Sequence, residues 1–106
     1  MRSKNDTNKN HEAREHFVFR LYITGASPNS SRAITNFKTI INSTGVKNYD
    51  LEIIDIYQQP AIAKKENIIA LPLLIKKSPL PERRMIGDMS DTTKLLSILE
   101  LENNSE

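Results

Sequence analysis

Ser27 and Ser30, within GASPNSSRA (Gly25–Ala33), are the residues whose type and spacing come closest to chemistry. They sit where the apolar run FVFRLYIT ends and a helix-like segment begins. Such strand–loop–helix junctions often hold nucleophiles or cradle phosphates. Serine narrows the options. A hydroxyl cannot form a disulfide, and at neutral pH it needs an adjacent base to become a nucleophile. No nearby His or carboxylate stands out as that base. The loop also lacks the Gly and Lys spacing of a phosphate loop. What remains for the two hydroxyls is capping the helix.

The chain contains no Cys, which removes disulfides, thiolate metal sites and cysteine catalysis together. HEAREH fails the spacing of a zinc helix because Glu15 stands where the second His is required. His11 and His16 could share an adventitious ion, but a solvated polar tail is the simpler reading. No cofactor and no enzymatic activity are expected. A net charge of +2 makes no case for nucleic acid. The longest apolar stretches, such as IIALPLLI, are far shorter than a membrane span. The polar start MRSKNDTNKNHEAREH is no secretory signal, so a cytoplasmic location is the default expectation.

The elements that must position these residues follow from periodicity and punctuation. Residues 1–16 are almost wholly polar and read as a disordered tail, as do 103–106 at the other end. Phe17–Thr24 is rich in β-branched and aromatic residues, apolar almost throughout, and predicts a central strand buried on both faces, with Tyr22 in the core. Pro28 predicts a non-helical loop, with Asn29 or Ser30 capping a helix over 30–43. Ala33, Ile34, Phe37, Ile40 and Ile41 form its apolar face, and Gly45 ends it. YDLEIIDIY (49–57) predicts a second strand, and Pro60 opens a short helix to about residue 68. ALPLLIKK (70–77) reads as a strand whose start is marked by Pro72, since proline cannot donate to a ladder. RRMIGD is a short strand ended by Gly87, with Asp88 as a turn residue. Ser90 or Asp91 then caps a last amphipathic helix bearing Leu95, Leu96, Ile98 and Leu99.

The order β-α-β-α-β-β-α, with a parallel first pair and a closing antiparallel hairpin, is the thioredoxin arrangement. That α/β fold characteristically places a cis-proline before its third strand, where Pro72 stands. Its redox Cys-x-x-Cys belongs after the first strand, where this chain has Ser27–Ser30.

LYITGASPNSSRA, IIDIYQQPAIAKKENIIALPLL and PLPERRMIGDMSD, in that order, resemble the KaiB family of bacterial circadian clock proteins. The family pattern runs LYVxG-x-x-PNS-x-RA, IDV-x-x-x-P-x-x-A, I-x-ATPTL and P-x-P-x-RR-x-IGD. It lies on residues 17–102 without a gap, which sets the expected domain. The resemblance implies a non-enzymatic regulator that binds the hexameric ATPase KaiC and modulates its phosphorylation cycle. It also implies possible contact with a KaiA-like protein or a sensor kinase. The family is metamorphic. The alternative to the thioredoxin-like monomer is a ground state, βαββααβ and commonly tetrameric, with residues 17–57 shared; self-association as a tetramer or dimer is therefore expected. A redox-inactive thioredoxin-like adaptor with another partner, for example in stress response, is the competing reading.

Arg32 and the Arg83–Arg84 pair match the family pattern. They are candidates for meeting acidic groups on the ATPase ring, since a guanidinium forks well onto carboxylates. The bland alternative is a set of solvated edge charges. Lys64 and Lys65, taken to begin the second helix, are further contact candidates. Other positions depart from the pattern. Asp50 and Glu52 replace a small residue and a Lys, which would weaken binding to a typical KaiC if that edge faces it. Leu71 replaces a Thr before Pro72. Ile98 replaces a Gly and Glu100 an Asp in the last segment. Gly inside a helix costs about 0.5–1 kcal/mol, so its loss favours the helical C-terminus and the thioredoxin-like state. Pro72, Ile98 and Glu100 are therefore the expected fold-switch positions.

Overall fold

The computed structural model describes residues 16–68 and 70–99. The polar tail before His16, the position Glu100 and the expected end at 103–106 lie outside the described residues. The element order is β1 (Phe17–Ile23), α1 (Pro28–Ser43), β2 (Tyr49–Asp55), α2 (Pro60–Lys65), β3 (Leu73–Ser78), β4 (Arg83–Ile86) and α3 (Thr92–Leu99). The βαβαββα sequence of elements is the one predicted. The strands form one sheet in the order β2-β1-β3-β4. β1 pairs parallel with β2 and antiparallel with β3, and β3 pairs antiparallel with β4.

β1 and β3 occupy the inner positions, and both carry buried apolar residues for the two faces of the sheet. Strand side chains alternate between faces, so Phe17, Phe19, Leu21 and Ile23 share one side. There they pack with Ala33, Phe37 and Ile41 of α1 and with Leu95, Ile98 and Leu99 of α3. Phe19 and Phe37 meet edge to face, ring centroids 4.9 Å apart, a favoured geometry for the ring quadrupoles. Tyr22 emerges on the other side with Ile54, Leu73 and Ile75, covered by Ile62 and Ala63 of α2. The sheet is thus sandwiched between α2 on one side and α1 with α3 on the other.

One helix start and one helix end differ from expectation. Pro28 does not hold the chain out of the helix; it is the first residue of α1. Its fixed φ suits the first helical turn, where a backbone N–H has no intrahelical partner to lose. The cap is accordingly Ser27, in extended conformation, and not Asn29 or Ser30. At α3 the cap is Asp91, whose Oδ1 accepts from the Lys94 N–H at 3.0 Å. α2 stops at Lys65, so Lys64 and Lys65 form its last turn, not its beginning. Gly45 follows the C-cap of α1 at φ +81°, a backbone angle that glycine adopts without Cβ strain. Pro72 directly precedes β3, and the Leu71–Pro72 peptide is cis.

Candidate functional site

The strand–helix junction is a closed hydroxyl cluster. Ser27 Oγ donates to Ser30 Oγ at 2.8 Å and accepts from the Ser30 N–H at 3.2 Å. Ser30 Oγ also accepts from the Thr24 N–H at 3.1 Å, and Thr24 Oγ1 lies 3.3 Å from Ser27 Oγ. Ser30 is buried, 1% exposed, where a reactive group would need access. The Asp55 carboxylate beside the loop accepts instead from the N–H groups of Gly25 and Tyr57. The cluster fixes the loop and caps α1, and the Ser27 proton is bound up in that task. Facing it across an open recess are Leu71 and Pro72. This is where a dithiol would meet its substrate in a thioredoxin-like scaffold; here two hydroxyls hold each other.

The residues singled out as partner contacts do not gather in one place. Asp50 and Glu52 lie on β2 and Arg83 and Arg84 on β4, the two opposite edges of the sheet. Arg83 pairs in register with Lys76, and Arg84 with Ile75. The two arginines therefore project to opposite faces. Glu52, Arg84 and the end of α2, by contrast, are joined over the α2 face by a ribbon of charge. Arg20 Nε lies 3.4 Å from Glu52 Oε1, and Arg20 Nη1 lies 3.9 Å from Glu66 Oε2. Lys77 Nζ stands 3.9 Å from Glu66 Oε1 and 3.6 Å from Glu82 Oε1. Arg84 Nε lies 3.6 Å from Glu82 Oε2, and Arg84 Nη2 donates to the Glu66 carbonyl at 3.0 Å. Glu66 caps the C-terminus of α2, where cations from three strands complement the negative end of the helix. Lys64 and Lys65 are exposed beside it.

Four members of this ribbon, Arg20, Glu66, Lys77 and Glu82, are absent from the sequence reading. Arg20 and Glu52 are direct cross-strand partners, and only knowledge of that register would have paired them. Asp50 has its own neighbour, His16 Nε2 at 3.0 Å, on the exposed β2 edge. Among the described residues no three His, Asp or Glu side chains gather as a metal set. Nor, among those residues, is any helix long and apolar enough to cross a membrane.

Arg32 lies apart from the ribbon, at the recess. Its Nε is 3.4 Å from Asp88 Oδ2, and its Nη2 donates to Asn29 Oδ1. Hydrogen bonds from the Ser90 hydroxyl and backbone N–H, and then Arg32, hold the Asp88 carboxyl below its ordinary pKa. Of the positions expected to govern a fold switch, Pro72 lines the recess and Ile98 is buried in the core under α3.

The family model described as the KaiB domain matches residues 20–101. The chain belongs to the KaiB family. It is 42% identical over 89 residues to the circadian clock oscillator protein KaiB of Prochlorococcus marinus, spanning 84% of this chain and 83% of that one. To the KaiB of Synechococcus elongatus it is 41% identical over 88 residues, 83% of this chain and 86% of that one. Among solved structures, the N-terminal domain of Synechococcus elongatus SasA is similar in fold, with a TM-score of 0.71 at 17% identity, covering 98% of this chain and 92% of that one. Oxidised mitochondrial thioredoxin 3 of Saccharomyces cerevisiae follows the same fold, with a TM-score of 0.63 at 16% identity, covering 83% and 81%. The KaiB match runs from inside β1 to beyond α3, so both the hydroxyl junction and the charged face belong to the family domain. Within it, this chain has the thioredoxin-like arrangement of elements.

Proposed function

We propose that this chain is a non-enzymatic clock regulator that binds a KaiC-like hexameric ATPase and modulates its phosphorylation cycle. The observation that carries the reading is the KaiB-family match across residues 20–101, on a scaffold whose reactive-loop position holds only capping hydroxyls. The α2 face is the side offered to the ATPase. Lys64, Lys65 and Arg84 stand there as cations able to meet carboxylates, and Glu52 contributes an opposite charge that sets which ATPase surface fits. Arg83 serves from the other face of the same edge. Asp50 and Glu52 tune this chain to a partner whose facing residues differ in charge from those met by the family's usual small residue and Lys. The SasA-like fold supports competition with a sensor kinase for one site on the ATPase, and a KaiA-like protein is a further candidate partner.

Affinity capture from the native cell, with identification of the retained proteins, tests this reading. Recovery of a KaiC-like ATPase is the expected result. Its absence, with reproducible recovery of an unrelated protein, would transfer the chain to the redox-inactive adaptor reading.

A further inference from the structure

The turn between β4 and α3 is tied to four other parts of the molecule. Gly87 N–H donates to the Pro72 carbonyl at 2.9 Å. The Asp88 carbonyl accepts from Asn36 Nδ2 at 2.8 Å, and the Asp88 carboxylate meets Arg32 Nε at 3.4 Å. Both Asn36 and Arg32 belong to α1, more than fifty residues earlier in the chain. Met89 then takes φ +66° while remaining 1% exposed in the core beneath α1 and α3. Asp91 closes the turn by capping α3.

Met89 is the informative residue. A side chain at positive φ is strained, and such a conformation persists only where the surroundings over-determine it. The surroundings here are the two α1 side chains on the preceding residue and the apolar pocket that receives Met89. We infer that Arg32 and Asn36 act inward, as a clasp that pins the Gly87–Asp91 turn to α1 and so seats α3 on the core. Arg32 is a positioning residue for α3 in this account, whatever it meets outside. The spacing of Arg32 and Asn36, four apart on one helix face, lets one grip the carboxylate and the other the carbonyl of the same residue. The clasp is an ion pair plus a hydrogen bond to backbone, two interactions that fail differently: salt and low pH weaken the first and leave the second.

Backbone amide hydrogen exchange on the full chain tests this. Arg32→Gln and Asp88→Asn should each speed exchange at Leu95–Leu99 about two- to fivefold, as loss of an exposed pair allows. The double variant should do no more than either single, because both remove one interaction. Asn36→Ala should act separately and add to either, about fivefold. The β1 amides should be unchanged in every variant. Unchanged exchange in α3, or full additivity between Arg32→Gln and Asp88→Asn, would overturn the clasp. So would a loss of partner binding in Arg32→Gln with α3 exchange at its wild-type rate, which would make Arg32 an outward contact only.

Discussion

Arg84 Nη2 donates to the carbonyl oxygen of Glu66 at 3.0 Å, so an edge-strand cation sits on the C-cap of α2. The contact joins a residue expected to face a partner to the helix expected to face the same partner. Arg84 therefore shapes the surface as well as charging it. Arg84→Ala should cost about 0.5–1 kcal/mol of stability, discounted for the exposure of the site. Urea unfolding would register this as a lower midpoint with an unchanged slope. A midpoint equal to that of the wild type would mean that α2 does not depend on Arg84.

Ser27 is read as a cap and not as a reactive group. Ser27→Ala should lower stability by about 1 kcal/mol, the usual cost of removing a hydroxyl N-cap. The same protein, wild type or variant, should not accelerate insulin reduction by dithiothreitol. Catalysis above buffer would contradict the reading of the junction.

Acid should loosen the Asp88 turn. The folded-state pKa of Asp88 is lowered, first by Ser90 and then by Arg32. A lowered carboxyl contributes stability above its unfolded pKa of about 3.9 and loses it as pH falls through the folded value. The stability difference between wild type and Asp88→Asn should then be constant above about pH 5 and shrink below about pH 4. Thermal melts across that range would show it. A difference independent of pH would remove Asp88 from the account of this turn.

Ile98 lies in the core, 5% exposed, on a helix. Ile98→Gly removes that burial and adds a helix penalty of about 1 kcal/mol, and should move the population away from the thioredoxin-like form toward the family's alternative packing. In dilute wild-type protein, secondary chemical shifts over 92–99 should be helical. Strand-like shifts in the dilute wild type would refute the preference argued from Ile98.

Much of this architecture was legible because local signals agreed with one another. The two-sided apolarity of β1 placed it inside the sheet, and Pro72 marked the start of β3. The hydroxyls of Ser27 and Ser30 pointed to a helix cap, and Ser27 caps α1. Other features were ambiguous in one dimension. Pro28 suits a loop and a first helical turn equally, so the sequence alone places the cap two or three residues beyond Ser27. Lys64 and Lys65 fall at the opposite end of α2 from the one expected, because a six-residue helix has too little periodicity to show its limits. The charged ribbon depends on register, and alternation with period two states which face a side chain takes but not which neighbour it meets. Arg83 and Arg84 read as a pair, yet that same alternation separates them.

The proposed recognition of a KaiC-like ATPase runs through the α2 face and the β4 edge. The direct measurement is titration of this chain into the purified KaiC-like hexamer of its own cell, in each nucleotide state. Binding should be saturable, depend on the nucleotide and be weakened by charge reversal at Arg83 and Arg84, more so at Arg84. No binding in either nucleotide state, with protein on the order of tens of micromolar, would contradict it.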